Sequence, residues 1–276
     1  MESTQYKRIK TIATHADWNF HIVFCNKRKK KLFMKELINS DINPLKKMYY
    51  EKSITTNNDS NWIIQPIAIE EFKTSHCMLY EHTNTIPLTD LSQDKLTLSQ
   101  FKKISLAIVN SFIGFEQQQQ LFQSLDARYI LVNQKNFNIS YINYDSFISF
   151  YSENLNSQNE LVHNSTAINY FSPEQTGQTN QQLDYRSDLY SVGILFYNLL
   201  TNSFPFENEN SENLIYDILT KPAPLLKKLR PDLPIMLSEI INKLLQKDKT
   251  SRYQSAQGLK NDLDIVFKNI SFNASV

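Results

Sequence analysis

Residues 170–206, YFSPEQTGQTNQQLDYRSDLYSVGILFYNLLTNSFPF, constrain this chain more than any other stretch. They read as a loop, a tight turn and one helix. Leu189–Leu200 is apolar nearly all round, and a helix of that kind has to be covered on every side. Phe204-Pro205-Phe206 ends it, because proline offers a helix no N–H and clashes with the preceding turn. The chain must therefore build a helical core around this segment. With 276 residues it is long enough for one large domain or two lobes.

Further helices are read around it. Leu98–Phe115 carries Phe101, Ile104, Ile108 and Phe112 near a 3.6-residue period. Leu237, Ile241, Leu244 and Leu245 mark another helix, and Leu259, Leu263 and Phe267 a last one. The front third differs. IKTIATH (9–15), NFHIVFCN (19–26), KLFMKEL (31–37), IIQPIAI (63–69) and HCMLYEH (76–82) are short runs rich in β-branched and aromatic residues, read as strands. A weak helix, Asn43–Ile54, has Pro44 in its first turn. Residues 55–61 read as a polar loop, 130–133 and 137–150 as short strands, and 151–169 as a long polar loop. The expected class is α+β, with strands in front and helices behind.

Composition excludes several functions. Lys+Arg 29 against Asp+Glu 28 gives no overall pull toward nucleic acid or membrane. Lys27–Lys31 is a basic run that reads either as a nucleic-acid or phosphoinositide patch or, preferably, as a solvated hairpin turn. Cys25 and Cys77 lack metal or redox spacing and read as two buried thiols of a reducing compartment. No signal-like start and no 18-residue apolar run occurs, so no membrane span is expected and the location is read as cytoplasmic. The five histidines show no H-E-x-x-H spacing, and neither G-x-S-x-G nor a Cys–His signature is present.

Ser172-Pro173-Glu174 stands where protein kinases carry Ala-Pro-Glu, and Asp188–Gly193 where they carry D-x-W/Y-S-x-G. SPEQTG, SDLYSVG, a Pro-Phe further on and a late KDKTSRY follow in that order. Over residues 6–268 the chain thus resembles the bacterial Ser/Thr-type protein-kinase fold. It is most similar to the kinase-like domain at the N-terminus of large multidomain signalling ATPases and hybrid sensor histidine kinases. The resemblance implies a small antiparallel-sheet N-lobe over 6–83 and a mainly helical C-lobe over 84–270. It also implies a structural set. Glu174 pairs with Arg252, Asp188 accepts backbone N–H bonds from the catalytic loop, and Gly193 lies in the central helix.

The resemblance also says where phosphoryl transfer should be carried. A Gly-rich loop normally admits the phosphates, but TIATHADWNFHIV has no glycine, the first in the chain being Gly114. Lys35 fits the strand lysine that contacts phosphates, Glu51 its helix partner, and Glu81 a further nucleotide-side position. Where H-R-D-x-x-x-x-N is expected, LFQSLDARYILVN places Phe122 at the His, Ser124 at the catalytic Asp and Tyr129 at the metal-binding Asn. Asp126 is a weak substitute for the base. The D-F-G position falls on Asn143 or, with a longer hairpin, on Asp145.

These replacements imply a catalytically impaired kinase domain, a regulatory or binding module with a protein signalling partner and no nucleic acid. The alternative is a divergent ATP-dependent Ser/Thr kinase using Lys35, Glu51 and Asp145, with ATP and Mg²⁺ as its cofactors.

Overall fold

The computed structural model describes residues 5–14, 18–38, 42–56, 60–72, 75–91, 96–123, 125–144, 148–149 and 168–273. They fall into two compact units, one within Met1–Asp90 and Ala127–Asp145, the other within Leu91–Asp126 and Ser146–Val276.

The first unit is built on an antiparallel sheet of β1 (Tyr6–Thr14), β2 (Trp18–Cys25), β3 (Lys30–Leu37), β4 (Pro66–Phe72) and β5 (Ser75–Glu81). Their order across the sheet is β1-β2-β3-β5-β4. Alternation decides which side chain faces which way, since successive strand residues point to opposite faces. Trp18 and Phe20 of β2, Phe33 and Leu37 of β3, and Met78 and Tyr80 of β5 share one cluster. Val23, Cys25, Leu32, Met34, Cys77 and Leu79 share another with Tyr6 and Phe72. Both cysteines are free and buried. The basic run sits at the β2–β3 turn, where Arg28 reaches Glu70 and Lys30 reaches Glu81.

Helix α1 (Ile42–Thr56) contributes Met48, Glu51 and Thr55 as one buried stripe. Ile63 and Ile64, read from the sequence as part of a strand, lie ahead of β4. Ile63 makes only an isolated bridge to Tyr141, and β4 begins at Pro66. Proline opens a strand at the sheet edge without costing a ladder bond. The unit is completed by β6 (Thr85–Pro87) and by β8 (Ile130–Asn133) and β9 (Ile139–Tyr141), which pair as β6-β8-β9. Among the described residues of 137–150, Ile139–Tyr141 and Ile148–Ser149 are the strands.

The second unit is helical. After the four-residue α2 (Leu88–Leu91), which spans the division between the units, α3 (Leu98–Gln117) starts at a reciprocal Thr97–Gln100 cap and buries Phe101, Ile104, Ile108, Phe112 and Phe115. A short pair, β7 (Gln120–Leu121) with β10 (Ile148–Ser149), also belongs here. The apolar helix expected at 189–200 is α4 (Tyr185–Thr201), capped by Asp184 and buried at nearly every position from Ser187 to Leu200. Its Gly193 lies so close to α7 (Ile235–Leu244) that a Cβ there would stand 2.7 Å from Leu244 Cβ.

Between them come α5 (Ser211–Thr220) and the one-turn α6 (Leu226–Leu229), and α8 (Ala256–Asn273) follows. Helix α5 went unread in the sequence because its neighbours are Asn- and Glu-rich. Its signals are the Asn210 cap and the four-residue spacing of Leu214 and Ile218. None of the described helices is long and apolar enough to cross a membrane.

Candidate functional site

Strand register places the central lysine. Phe20 pairs with Lys35 across β2–β3, and Lys35 pairs with Met78 across β3–β5. Lys35 therefore stands in an apolar row, on the face that carries Trp18, Phe33 and Tyr80. A one-residue slip would turn it to the opposite face. Its side chain has no exposed surface, and neither has that of Glu51. Lys35 Nζ donates to Glu51 Oε2 at 2.5 Å and to Asn143 Oδ1 at 2.9 Å. The other carboxylate oxygen, Glu51 Oε1, accepts from Tyr80 OH at 2.7 Å. The result is one cation and one anion joined by two neutral groups in a dry setting, where an unmatched charge costs several kcal/mol, about 3–5 when one partner is removed.

Aromatic rings close the remaining side of the lysine. The Trp18 ring lies over Nζ with its centroid at 4.0 Å, and the Phe20 centroid is at 5.5 Å. Trp18 is 1% exposed and Phe20 is fully buried. Tyr129 packs on Phe20 with centroids 5.0 Å apart, and Phe33 carries the His82 imidazole stacked at 4.6 Å. Burial lowers the pKa of His82, and the nearby Lys31 charge lowers it further. Tyr129, read as the residue at a metal-binding position, is a core side chain at 5% exposure. Glu81 is exposed, its carboxylate held by Lys30 at 2.7 Å.

In the helical unit, Asp188 is buried in the first half of α4. Its Oδ2 accepts from the Phe122 N–H at 2.8 Å and its Oδ1 from the Gln123 N–H at 2.9 Å. Burial pushes the Asp188 carboxyl up to about 7, against the pull of those two donors. Gln123 has a φ of 58°, so the chain turns sharply where Asp188 grips it. Asp126 is buried nearby in sequence. Ser124 and Asp145, together with residues 15–17 of the first hairpin, lie outside the described residues.

Glu174 and Arg252 form a second buried pair. Arg252 Nη1 donates to Glu174 Oε1 at 2.7 Å and Nη2 to Oε2 at 2.9 Å, a fork-to-fork contact of the kind that suits guanidinium and carboxylate. Its remaining N–H groups reach the carbonyls of Gln246, Arg186 and Lys247. The Tyr190 ring lies 4.8 Å from Arg252 Cζ.

The structure thus brings together Lys35, Glu51 and Asn143 in one unit, and Glu174 with Arg252 in the other. Sequence reasoning had not placed Trp18, Phe20 and Tyr80 around Lys35. The available signal was alternation. Trp18, Phe20 and the residues opposite them in a regular hairpin share a face with Lys35 once β2 and β3 are paired. Among the described residues, no group of three His, Cys, Asp or Glu side chains is arranged to hold a metal ion.

A family model for the protein kinase domain matches residues 21–263. Hybrid signal transduction histidine kinase G of Dictyostelium discoideum is 49% identical over 96 residues, 35% of this chain and 3% of that protein. Peroxide stress-activated histidine kinase mak3 of Schizosaccharomyces pombe is 36% identical over 120 residues, 44% of this chain and 5% of that protein. Serine/threonine-protein kinase PrkC of Bacillus subtilis is 26% identical over 160 residues, 58% of this chain and 24% of that protein. The matched segments thus cover only a small part of these relatives' length.

Proposed function

The chain belongs to the protein kinase family, and we propose that within it the domain is a catalytically impaired member, a binding and regulatory module of signalling proteins. The observation that carries this reading is the enclosure of Lys35. In a protein kinase the strand lysine contacts nucleotide phosphates, and carboxylate and amide ligands hold the magnesium ions that neutralise them. Here the ammonium has no exposed surface, and Glu51, Asn143 and the Trp18 ring surround it. Asn143 brings no charge for a divalent cation, and its side-chain oxygen already accepts from Lys35. Among the described residues this arrangement does not fit a magnesium nucleotide. The sequence adds Ser124 and Tyr129 where a base and a metal ligand are expected.

Several similar proteins carry names of signalling histidine kinases, which favours a protein partner of that kind. The test is incubation with radiolabelled ATP and Mg²⁺ or Mn²⁺, wild type beside Lys35→Ala. No incorporation above the variant is expected. Robust labelling lost in the variant overturns the proposal.

A second reading, a divergent Ser/Thr kinase using Lys35, Glu51 and Asp145, has one specific support. The Lys35–Glu51 ion pair is the contact that active kinases require. It predicts stabilisation by ATP that depends on Mg²⁺, read as a rise in melting temperature that EDTA removes.

A further inference from the structure

We propose that the Lys35 site is filled by the chain's own side chains, with the Trp18 indole standing as a built-in ligand for the Lys35 ammonium. This inference rests on the reading above and adds how the site is regulated. The Lys35 site keeps this arrangement with neither nucleotide nor metal, and no small-molecule effector acts through Lys35 while Trp18 is in place.

The argument starts from what a nucleotide asks of a pocket: a cation for its phosphates and an apolar or aromatic face for its base. Both are taken from within. Among the described residues Lys35 has its two polar contacts in Glu51 and Asn143, and the π face of Trp18 lies beside them at 4.0 Å. A desolvated cation over an indole is among the stronger contacts of this type. Phe33 lies two residues along β3 on the same face, and His82 is stacked on it at 4.6 Å with the planes 27° apart. Tyr129 and Phe20 fill in beside them, and Leu131 and Ile142 join the same cluster.

These rings come from β2, β3, the turn at Ala127–Tyr129 and the end of β5, so the filling is spread over the sheet. The charges are balanced as well. Glu51 is held by Tyr80 on one oxygen and Lys35 on the other, which leaves no unmet charge among the described residues of the site.

Two measurements test it. Trp18 and Trp62 are the two tryptophans, so Trp62→Phe leaves Trp18 as the sole indole emitter. The Trp62 contacts to Tyr141 and Tyr144 run through its backbone carbonyl and survive that change. Trp18 emission is expected to be blue-shifted, shielded several-fold from acrylamide relative to free tryptophan, and unchanged by millimolar ATP with or without Mg²⁺. Emission that is quenched like free tryptophan, or that moves on adding ATP, overturns the proposal.

The second measurement uses Trp18→Ala, in which a cavity the size of an indole opens above Lys35. Saturating indole is expected to raise its melting temperature by roughly 5 °C while leaving the wild type unmoved. A folded Trp18→Ala that shows no indole effect counts against the inference, and the emission test stands if that variant does not fold. Lys35-dependent phosphate transfer by the wild type sinks the functional reading as a whole. ATP-sensitive Trp18 emission without transfer sinks only this inference.

Discussion

Removing the Arg252 side chain should be among the most damaging single changes this domain can suffer, and the structure says why. Arginine has five N–H donors. All five are used here: two on the Glu174 carboxylate at 2.7 and 2.9 Å, and three on the carbonyls of Gln246, Arg186 and Lys247 at 2.7, 3.0 and 3.0 Å. Arg252 is 2% exposed and Glu174 1%. In Arg252→Ala the carboxylate stays buried with the Ser187 hydroxyl, 3.2 Å from Oε1, as its remaining side-chain donor.

Orphaning a buried charge costs about 3–5 kcal/mol. At about 2–4 °C per kcal/mol for a domain of this size, the melting temperature should fall by roughly 6–20 °C. Arg252→Lys keeps the charge but can serve at most three of the five acceptors, so a loss of about 2 kcal/mol is expected. Glu174→Gln separates charge from shape. Alone it weakens the pair. Combined with Arg252→Ala it removes the stranded charge and should recover about 2 kcal/mol of the loss. Urea titration of the four proteins, read as midpoints at constant slope, gives the coupling directly. The reasoning is refuted if Arg252→Ala lies within 1 kcal/mol of wild type, or if Glu174→Gln brings no recovery in its presence.

Other expectations follow from the same geometry. Gly193→Ala drives a methyl to 2.7 Å from Leu244 Cβ, an atom no rotamer change can move, and should cost about 1–3 kcal/mol in urea midpoint. Gly177 has a φ of 72°, so Gly177→Ala should cost about 1 kcal/mol by the same titration. Lys35→Met strands Glu51 and should cost about 3–5 kcal/mol, with Glu51→Leu in addition restoring most of it; a melt that moves by less than 1 kcal/mol argues against a sealed pair. Asp188 is raised from 3.8 to about 7 by burial, so the folded state binds its proton more tightly than the unfolded chain does. Its stabilising share is complete below pH 3.8 and is lost as pH rises to about 7. The stability gap between wild type and Asp188→Asn should therefore widen in favour of wild type as pH falls from 7 to 4, by up to about 1.4 kcal/mol per pH unit. A gap that is flat in pH contradicts this.

The helical half was more legible than the sheet half, and the physics of the signals explains it. An apolar helix such as Leu189–Leu200 carries its burial in local sequence, and SPEQTG with Arg252 gives an ordered set of markers along it. Asp188 could be read only through the kinase resemblance of SDLYSVG, which implies backbone N–H partners in the loop; the structure shows these as the Phe122 and Gln123 amides. The sheet half depends on pairings that local sequence does not state. Lys35 and Glu51 were found by counting from neighbouring elements. Asn143 was one of two candidates because local sequence does not fix the length of the hairpin before it, whose turn holds Phe137 at a left-handed φ of 63°. The missing glycine in the first hairpin could be read, but not where Trp18 goes. That depends on its pairing across from Leu37, which puts the indole on the Lys35 face.

The two buried ion pairs bear on function unequally. Glu174–Arg252 and Lys35–Glu51 each satisfy the other partner's charge inside the protein. Losing one partner costs about 3–5 kcal/mol, against a total stability of about 5–15 kcal/mol for a typical domain. Such pairs can be lost only together, so a domain that stops needing Lys35 for phosphate still needs it for Glu51. The lysine–glutamate pair is needed for turnover but does not by itself establish it. The discriminating feature is what surrounds the ammonium. An open face lets a phosphate compete for it, whereas an indole at 4.0 Å and a neutral amide at 2.9 Å make the lysine part of the core. On the proposed reading, the side chain at position 18, more than the one at position 35, separates an enzyme from a folded relative of one.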